Sequence, residues 1–135
     1  KVIDKDLSGI HILIVEDNKV NAMVVKQFLS KWKAECSIAE DGLKALEYLK
    51  TNKTNLILMD LQMPNMDGIE ATKHIRGTTS KYKDVPIIAL TAAATMDILD
   101  KAYEVGVDSY VIKPFNPENL YIQISDLLIK KRVPK

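Results

Sequence analysis

Five short runs of apolar residues recur along the chain and are separated by longer segments of mixed polarity. The runs are predicted as β-strands and cover residues 10–15, 34–39, 55–60, 86–91 and 108–112. The first, third and fourth runs are almost continuously apolar, which is typical of parallel strands that helices cover on both faces. These three strands are therefore expected in the centre of a parallel sheet.

The segments between the runs place apolar side chains three and four residues apart, as one face of an amphipathic helix does. After the first run these positions are Val20, Met23, Val24, Phe28 and Trp32. After the second they are Leu43, Leu46 and Leu49, and after the last they are Leu120, Ile124, Leu127 and Leu128. Helix start signals, either a capping side chain or an early proline, occur at 41–42, 66–68, 95–97 and 116–118. The chain is therefore predicted as an α/β domain of five βα units.

Charge and composition exclude several classes of partner. The 135 residues include 19 Lys and Arg against 18 Asp and Glu, a net charge of +1, which gives no general attraction to nucleic acid or anionic lipid. No apolar stretch approaches the roughly 20 residues of a membrane span. We therefore expect no nucleic-acid contact and no membrane insertion. A single cysteine, Cys36, excludes an internal disulfide and favours the reducing cytoplasm as the location.

No change in composition, repeat or low-complexity stretch divides the chain. We predict a linker at 1–9, one domain at 10–130 and a short tail at 131–135. The chain begins with Lys rather than Met, as expected of a segment taken from a longer protein.

Polar residues follow the ends of four predicted strands. Glu16 and Asp17 come after the first strand, Asp60 ends the third, Thr91 ends the fourth and Lys113 follows the fifth. Because functional sites of open parallel sheets lie at the carboxyl ends of the strands, these side chains are expected to meet at one edge.

Three carboxylates brought together repel one another unless a cation lies between them. Mg²⁺ prefers oxygen ligands, and the absence of a partnered His or Cys disfavours zinc and copper. An ammonium and a hydroxyl beside the same carboxylates complete a set that stabilises a transferring phosphoryl group. Asp60 is the expected nucleophile, because an ionised carboxylate can attack phosphorus to form an acyl phosphate while Glu16 and Asp17 are occupied by the cation.

Four ordered motifs carry these residues: Val-Glu-Asp-Asn at 15–18, Leu-Met-Asp-Leu-Gln-Met-Pro-Asn-Met-Asp-Gly at 58–68, Leu-Thr-Ala at 90–92 and Lys-Pro-Phe at 113–115. Together they resemble the receiver domain of two-component response regulators. The resemblance implies a flavodoxin-like (βα)5 fold, a doubly wound parallel five-stranded sheet with strand order 2-1-3-4-5. It also implies a cis peptide bond between Lys113 and Pro114.

The same resemblance assigns roles to the acidic residues. Asp60 would accept a phosphoryl group from a phosphohistidine of a partner, either a histidine kinase domain or a histidine phosphotransfer domain. Mg²⁺ would be held by Asp17, Asp60 and the backbone carbonyl of Gln62. Glu16 would act on the ion through bound water.

Three further residues would respond to the phosphoryl group. Lys113 would pair with the phosphate, and Thr91 would move towards it while Tyr110 changes between outward and inward rotamers. By the same resemblance, this Thr and Tyr pair would switch the surface of the fourth helix, fifth strand and fifth helix. A phosphorylation-dependent dimer is compatible with such a switch.

Two motifs indicate a subclass. Asp-Asn-x-x-Asn at 17–21 and Gln-Met-Pro-x-Met-Asp-Gly at 62–68 look most like receivers of hybrid sensor histidine kinases, whose parent chains include membrane-bound sensors. In such receivers, apolar residues around the first helix help to dock a histidine phosphotransfer domain, which makes Val20, Met23 and Trp32 candidates for a partner surface. The other interpretation of Trp32 is that it only covers the sheet edge. A stand-alone response regulator and a receiver that acts by docking alone stay open as alternatives.

Three other functional classes lack the residues they need. A flavodoxin-like cofactor carrier needs a cradle of Ser, Thr and Gly after the first strand, where this chain has Glu16 and Asp17. A nucleotide hydrolase needs a Gly-x-x-x-x-Gly-Lys-Ser/Thr loop, which does not occur. A phosphatase of the haloacid dehalogenase type needs an Asp-x-Asp pair, and here Gln62 stands two residues after Asp60. The predicted function is therefore a phosphoacceptor domain that turns over no external metabolite.

Overall fold

A computed structural model of the protein describes residues 5–63, 66–78 and 81–132. Strands and helices alternate along these residues in the order β1 (His11–Val15), α1 (Lys19–Lys31), β2 (Glu35–Ala39), α2 (Gly42–Thr51), β3 (Leu56–Asp60), α3 (Gly68–Gly77), β4 (Ile87–Thr91), α4 (Met96–Val105), β5 (Ser109–Ile112) and α5 (Pro117–Arg132). The predicted alternation of strands and helices is confirmed. Residues 1–4 of the predicted linker and 133–135 of the predicted tail lie outside the described residues.

The five strands pair in parallel in the order β2-β1-β3-β4-β5. This order confirms the flavodoxin-like class and places β1, β3 and β4 in the centre, as predicted. The strands are in register near their carboxyl ends, where Val15 lies beside Met59, Asp60 beside Leu90 and Thr91 beside Ile112. The residues that follow the strands therefore emerge along one edge of the sheet.

Helices cover both faces of the sheet. α1 and α5 pack on the face that receives Ile12 and Ile14, while α2, α3 and α4 pack on the face that receives Leu13 and Val15. Because side chains alternate along a strand, the central strands are buried on both sides. This double burial explains why their sequences are almost continuously apolar.

Four helices begin at a side chain that accepts a hydrogen bond from an amide of the first turn. These caps are Asn18 for α1, Asp41 for α2, Asp67 for α3 and Thr95 for α4. The start signals predicted the last three, and Pro117 opens α5, also as predicted. The cap of α1 was missed. Because Asn18 directly follows Glu16 and Asp17, this cap fixes the turn that carries both carboxylates.

The predicted apolar face of α1 is wrong in its first half. Val20, Met23 and Val24 are 72%, 51% and 40% exposed. The stripe that packs on the sheet consists instead of Ala22, Val25, Leu29 and Trp32, all of which are buried.

The difference follows from how far each stripe of α1 continues. Residues 20–25 are almost all apolar, so their spacing is compatible with two neighbouring faces. Further along the helix, Gln27 and Lys31 interrupt the predicted apolar face. The observed face stays apolar as far as Trp32. The longer uninterrupted stripe is therefore the one that packs on the sheet.

The other predicted faces agree better with the structure. In α5 the four predicted positions, Leu120, Ile124, Leu127 and Leu128, are all buried. In α2 Leu49 is buried, Leu46 is half-buried and Leu43 is exposed. Among the described helices, none is long and apolar enough to cross a membrane.

Packed structure begins before residue 10. Leu7 is buried, and its backbone N–H donates to the carbonyl of Trp32 at 2.6 Å. Lys5 forms an ion pair with Glu118 and lies over the ring of Tyr121. Part of the predicted linker is thus held against α1 and α5, and the boundaries at 10 and 130 stay predictions.

Gly68, the first residue of α3, provides a test of this packing. A Cβ at Gly68 would lie 2.3 Å from the carbonyl oxygen of Asp60, whereas a Cβ at Gly77 would meet nothing within 4 Å. Gly68→Ala is expected to lower the free energy of unfolding by about 1–3 kcal/mol, because the backbone of β3 has to move. Gly77→Ala, the matched control, is expected to be neutral or stabilising by up to about 1 kcal/mol. Urea denaturation measures both, and equal midpoints would contradict the close approach.

Candidate functional site

Six predicted site residues come together at the carboxyl edge of the sheet. Glu16 and Asp17 follow β1, Asp60 ends β3 and Gln62 follows it, Thr91 ends β4 and Lys113 follows β5. Glu16, Asp60 and Thr91 are buried, whereas Asp17 and Gln62 are exposed. The site therefore combines buried polar groups with exposed ones that face solvent.

The three carboxylates form one cluster. Glu16, Asp17 and Asp60 each offer an oxygen, and these oxygens lie within 4.8 Å of one another. The backbone N–H of Gln62 donates to Oδ1 of Asp60 at 3.1 Å. A set of oxygen donors at this spacing fits a hard divalent cation such as Mg²⁺.

Lys113 lies between two of the carboxylates. Its Nζ is 3.0 Å from Oε1 of Glu16 and 3.3 Å from Oδ2 of Asp60. Its backbone N–H donates to the carbonyl of Thr91 at 2.8 Å, and the peptide bond to Pro114 is cis, as expected. The other carboxylate oxygen of Glu16, Oε2, accepts from the N–H of Asn18 at 3.2 Å. Glu16 is therefore engaged at both oxygens and holds Lys113 directly.

The electrostatic environment perturbs Asp60 and Lys113 in linked ways. Burial raises the pKa of Asp60 to about 6, and the neighbouring Glu16 adds to this increase more than Lys113 and the Gln62 amide offset it. Burial by itself lowers the pKa of Lys113, but Glu16 and Asp60 outweigh it, so the pKa of Lys113 is raised. Lys113 thus carries a positive charge at neutral pH, while part of the negative charge of the cluster is uncompensated.

Thr91 is held in place by its neighbours. Its Oγ1 accepts from the Nε2 of Gln62 at 3.3 Å and from the N–H of Ala93 at 3.0 Å, and the carbonyl of Ala93 lies 3.2 Å away. The resemblance implied that the backbone carbonyl of Gln62 binds the metal and that Gln62 and Ala93 line the approach to the phosphate. The side-chain contact of Gln62 with Thr91 depends on how two loops meet and has no signal in the sequence.

Tyr110 lies apart from this cluster. It is in the middle of β5, beside Ala89 of β4, and is partly exposed. Its ring contacts Tyr103 of α4 edge-on, with centroids 6.4 Å apart and an interplanar angle of 81°. Sequence reasoning missed Tyr103, because an aromatic residue on an exposed helix face carries no motif.

Comparison with known proteins agrees with this geometry. The profile of the response regulator receiver domain family matches residues 12–125. The chain belongs to this family. The matched range contains Tyr110 and the six site residues at the carboxyl edge of the sheet.

Curated relatives of this receiver domain are much longer proteins. The chain is 39% identical over 113 residues to the autoinducer 2 sensor kinase/phosphatase LuxQ of Vibrio parahaemolyticus, covering 84% of this chain and 13% of that protein. It is 39% identical over 126 residues to the peroxide stress-activated histidine kinase mak1 of Schizosaccharomyces pombe, covering 90% of this chain and 8% of that protein. The receiver domain thus spans about a tenth of the length of these relatives.

Solved structures show the same fold. The receiver domain of the sensor histidine kinase PA1611 from Pseudomonas aeruginosa superposes with a TM-score of 0.83 at 33% identity, covering 90% of this chain and 98% of that one. That structure has a magnesium ion coordinated in its active site cleft. The Francisella response regulator 1452 receiver domain has a TM-score of 0.83 at 27% identity, covering 92% of this chain and all of that one.

The raised pKa of Asp60 predicts a pH-dependent gain in stability for Asp60→Asn. The native pKa of about 6 lies above the ordinary aspartate value of 3.8, so between these pH values the native state retains a proton that the unfolded state has lost. The contribution of Asp60 to stability is therefore largest below pH 4 and is lost as the pH rises through 6. In buffer without divalent ions, Asp60→Asn is expected to raise the free energy of unfolding by about 1–3 kcal/mol at pH 7.5 and to change it little at pH 4.

Urea denaturation at the two pH values measures this difference. Asp100→Asn, which changes an exposed carboxylate of α4, is the control and is expected to show no such pH dependence. A pH-independent effect of Asp60→Asn on the free energy of unfolding would mean that burial and Glu16 do not destabilise the ionised form of Asp60.

Proposed function

We propose that this receiver domain transfers a phosphoryl group from a phosphohistidine of a partner to Asp60, and that the reaction depends on Mg²⁺. The observation that carries this proposal is the buried carboxylate of Asp60, which lies beside two further carboxylates and the ammonium of Lys113. A binding site for an organic cofactor has no need of such a cluster. A phosphoryl acceptor needs all of these groups.

The metal ligands are those that the family resemblance implies, and the three clustered carboxylates are compatible with them. Asp17, Asp60 and the backbone carbonyl of Gln62 would hold Mg²⁺ directly, and Glu16 would act through water. Bound there, the ion would neutralise the carboxylates and the charge on the phosphoryl oxygens. The magnesium ion in the related PA1611 receiver supports this assignment.

In the transfer step, an oxygen of the Asp60 carboxylate attacks phosphorus as the bond from phosphorus to the partner's imidazole nitrogen breaks. The bonding electron pair stays on that nitrogen, and an acyl phosphate forms on Asp60. Lys113, already 3.3 Å from Asp60, pairs with a phosphoryl oxygen. Thr91 donates its hydroxyl to another oxygen after giving up its contacts with Gln62 and Ala93.

The response to phosphorylation would pass from Thr91 to Tyr110 and the surface of α4, β5 and α5. Thr91 lies on β4 two residues beyond Ala89, the register partner of Tyr110, so the two switch residues are on adjacent strands. Movement of Thr91 towards the phosphoryl group makes room for an inward rotamer of Tyr110.

The donor would be a histidine kinase domain or a histidine phosphotransfer domain, as in hybrid histidine kinases, the class to which several relatives belong. Val20, Met23 and Val24 form an exposed apolar patch on the first two turns of α1, close in sequence to Asp17. This patch is suited to docking the donor beside Asp60. Trp32 is buried and takes no part in it.

Intact-protein mass spectrometry with a small phosphodonor tests the proposed chemistry. After incubation with acetyl phosphate and Mg²⁺, the wild-type protein is expected to gain one phosphoryl group. The adduct is expected to be absent with EDTA in place of Mg²⁺ and absent in Asp60→Asn. If neither acetyl phosphate nor a phosphorylated histidine kinase produces an adduct in protein that binds Mg²⁺, the domain acts by docking alone.

Lys113→Ala tests the second cationic group. The rate of phosphorylation by acetyl phosphate is expected to fall by about 10²-fold or more, because a charge aimed at the phosphoryl oxygens is lost. Lys73→Ala, which removes an exposed ammonium of α3, is the matched control and is expected to leave the rate unchanged. A Lys113→Ala rate equal to that of the control would remove Lys113 from the mechanism.

Asp17→Asn tests the metal assignment. Asp17 is the most exposed of the three carboxylates, so its amide variant is expected to fold normally. Its affinity for Mg²⁺, measured by titration calorimetry, is expected to fall about tenfold or more, because one anionic ligand is lost. Unchanged affinity would place the ion elsewhere.

A further inference from the structure

Tyr110 packs against the core with part of its ring and lies at the surface with the rest. It lines a groove of about 620 Å³ on the surface of α4, β5 and α5, together with Tyr103 and Ile112. Among the described residues, no hydrogen bond of the Tyr110 hydroxyl is found, and none joins it to Thr91. The ring is therefore positioned by packing alone, and its edge-on contact with Tyr103 is its one aromatic contact within the described chain.

Tyr103 is itself set at a fixed distance from β5. Gly106 caps the end of α4, and its carbonyl accepts from Nε of Arg76 at 3.0 Å. The same guanidinium forms an ion pair with Asp108 at 3.0 Å, just before β5 begins. Tyr103 lies within one helical turn of Gly106. The contacts of Arg76 with Gly106 and Asp108 therefore hold the Tyr103 end of α4 beside β5.

The rest of α4 is held weakly. Ala102 is the only buried residue of this helix within the described chain, and Met96 at its opposite end is 74% exposed. Few buried contacts make a segment easy to displace. Among the described residues, the pair of Tyr103 and Tyr110 is the aromatic contact that joins this helix to β5.

The surroundings of the Tyr103 hydroxyl fit this close placement. Burial raises the pKa of Tyr103, and the neighbouring Tyr110 and Asp108 raise it further. Tyr110 is thus close enough to Tyr103 to contribute to the raised pKa of the Tyr103 hydroxyl.

An interaction present in only one of two states shifts the equilibrium between them by its own free energy. A change of the χ1 rotamer of Tyr110 carries its ring out of the edge-on contact with Tyr103. The contact is therefore lost if phosphorylation changes the rotamer of Tyr110. It stabilises the unphosphorylated arrangement and weakens the response to a phosphoryl group.

We propose that Tyr103 is a positioning residue that restrains the switch, holding Tyr110 in its unphosphorylated position by edge-on ring packing. The inference rests on the proposed function, in which Tyr110 responds to phosphorylation of Asp60. It adds a residue of α4 to that mechanism. The strength of the contact between Tyr103 and Tyr110 would then set how readily the domain switches.

The test compares Tyr103→Ala with Tyr103→Phe, which keeps the ring. Each protein is labelled with 3-fluorotyrosine, the Tyr110 resonance is assigned with Tyr110→Phe, and beryllium fluoride is titrated in the presence of Mg²⁺ as a phosphoryl analogue. Ile122→Ala, which truncates a similarly exposed side chain on α5, is the control. Urea denaturation of each variant measures stability separately.

In Tyr103→Ala the half-saturating beryllium fluoride concentration is expected to fall by about two- to tenfold, the range of an aromatic pair. The free Tyr110 resonance is expected to move towards its position in the saturated wild type. Tyr103→Phe and Ile122→Ala are expected to behave like the wild type. If Tyr103→Ala does not fold, Tyr103→Leu, which keeps apolar bulk without a ring, replaces it.

Two outcomes would overturn the inference in distinguishable ways. If the wild type responds to beryllium fluoride and Tyr103→Ala loses stability without a change in half-saturation or in the free resonance, Tyr103 has only a structural role and the proposed function stands. If the wild type itself shows no response with Mg²⁺, the proposed function fails and the restraint fails with it.

Discussion

The burial of one carboxylate beside another is the constraint on which this site depends. Asp60 and Glu16 are both almost inaccessible to water, and an ionised carboxylate in such a position is unfavourable unless it is paired. Lys113 contacts both, but one ammonium cannot balance three carboxylates. Burial, and then the neighbouring Glu16, raise the pKa of Asp60, and the uncompensated negative charge of the cluster suits a divalent cation.

The fold imposes this arrangement through its backbone. The parallel ladder continues past the strands, since the N–H of Glu16 donates to the carbonyl of Ala39 and the N–H of Lys113 to that of Thr91. These bonds set the direction in which each polar side chain leaves the sheet. On the other side, α3 begins against the backbone of Asp60, where only Gly68 leaves enough space. Charged groups that repel one another are thus held together by a sheet and a helix whose own packing is apolar.

The consequences extend from the charged edge to α4. α4 has little buried surface of its own. It lies between the buried strands and the contacts of Arg76 with Gly106 and Asp108. A helix held in this way can shift without unfolding the domain. In the proposed mechanism, phosphorylation of Asp60 would act on the surface of α4, β5 and α5 by exchanging the weak contacts that hold it.

The sequence by itself determined the class of fold, the centre of the sheet and the identity of the residues at its carboxyl edge, because double burial and strand ends leave local signals. Tertiary structure decided which face of α1 is buried, since residues 20–25 are compatible with two faces and only packing on the sheet selects one. It also decided the contacts of Gln62 with Thr91 and of Tyr103 with Tyr110. These pairs are distant in sequence or lie on exposed surfaces, so their proximity arises from how elements pack and leaves no periodicity or motif in the chain.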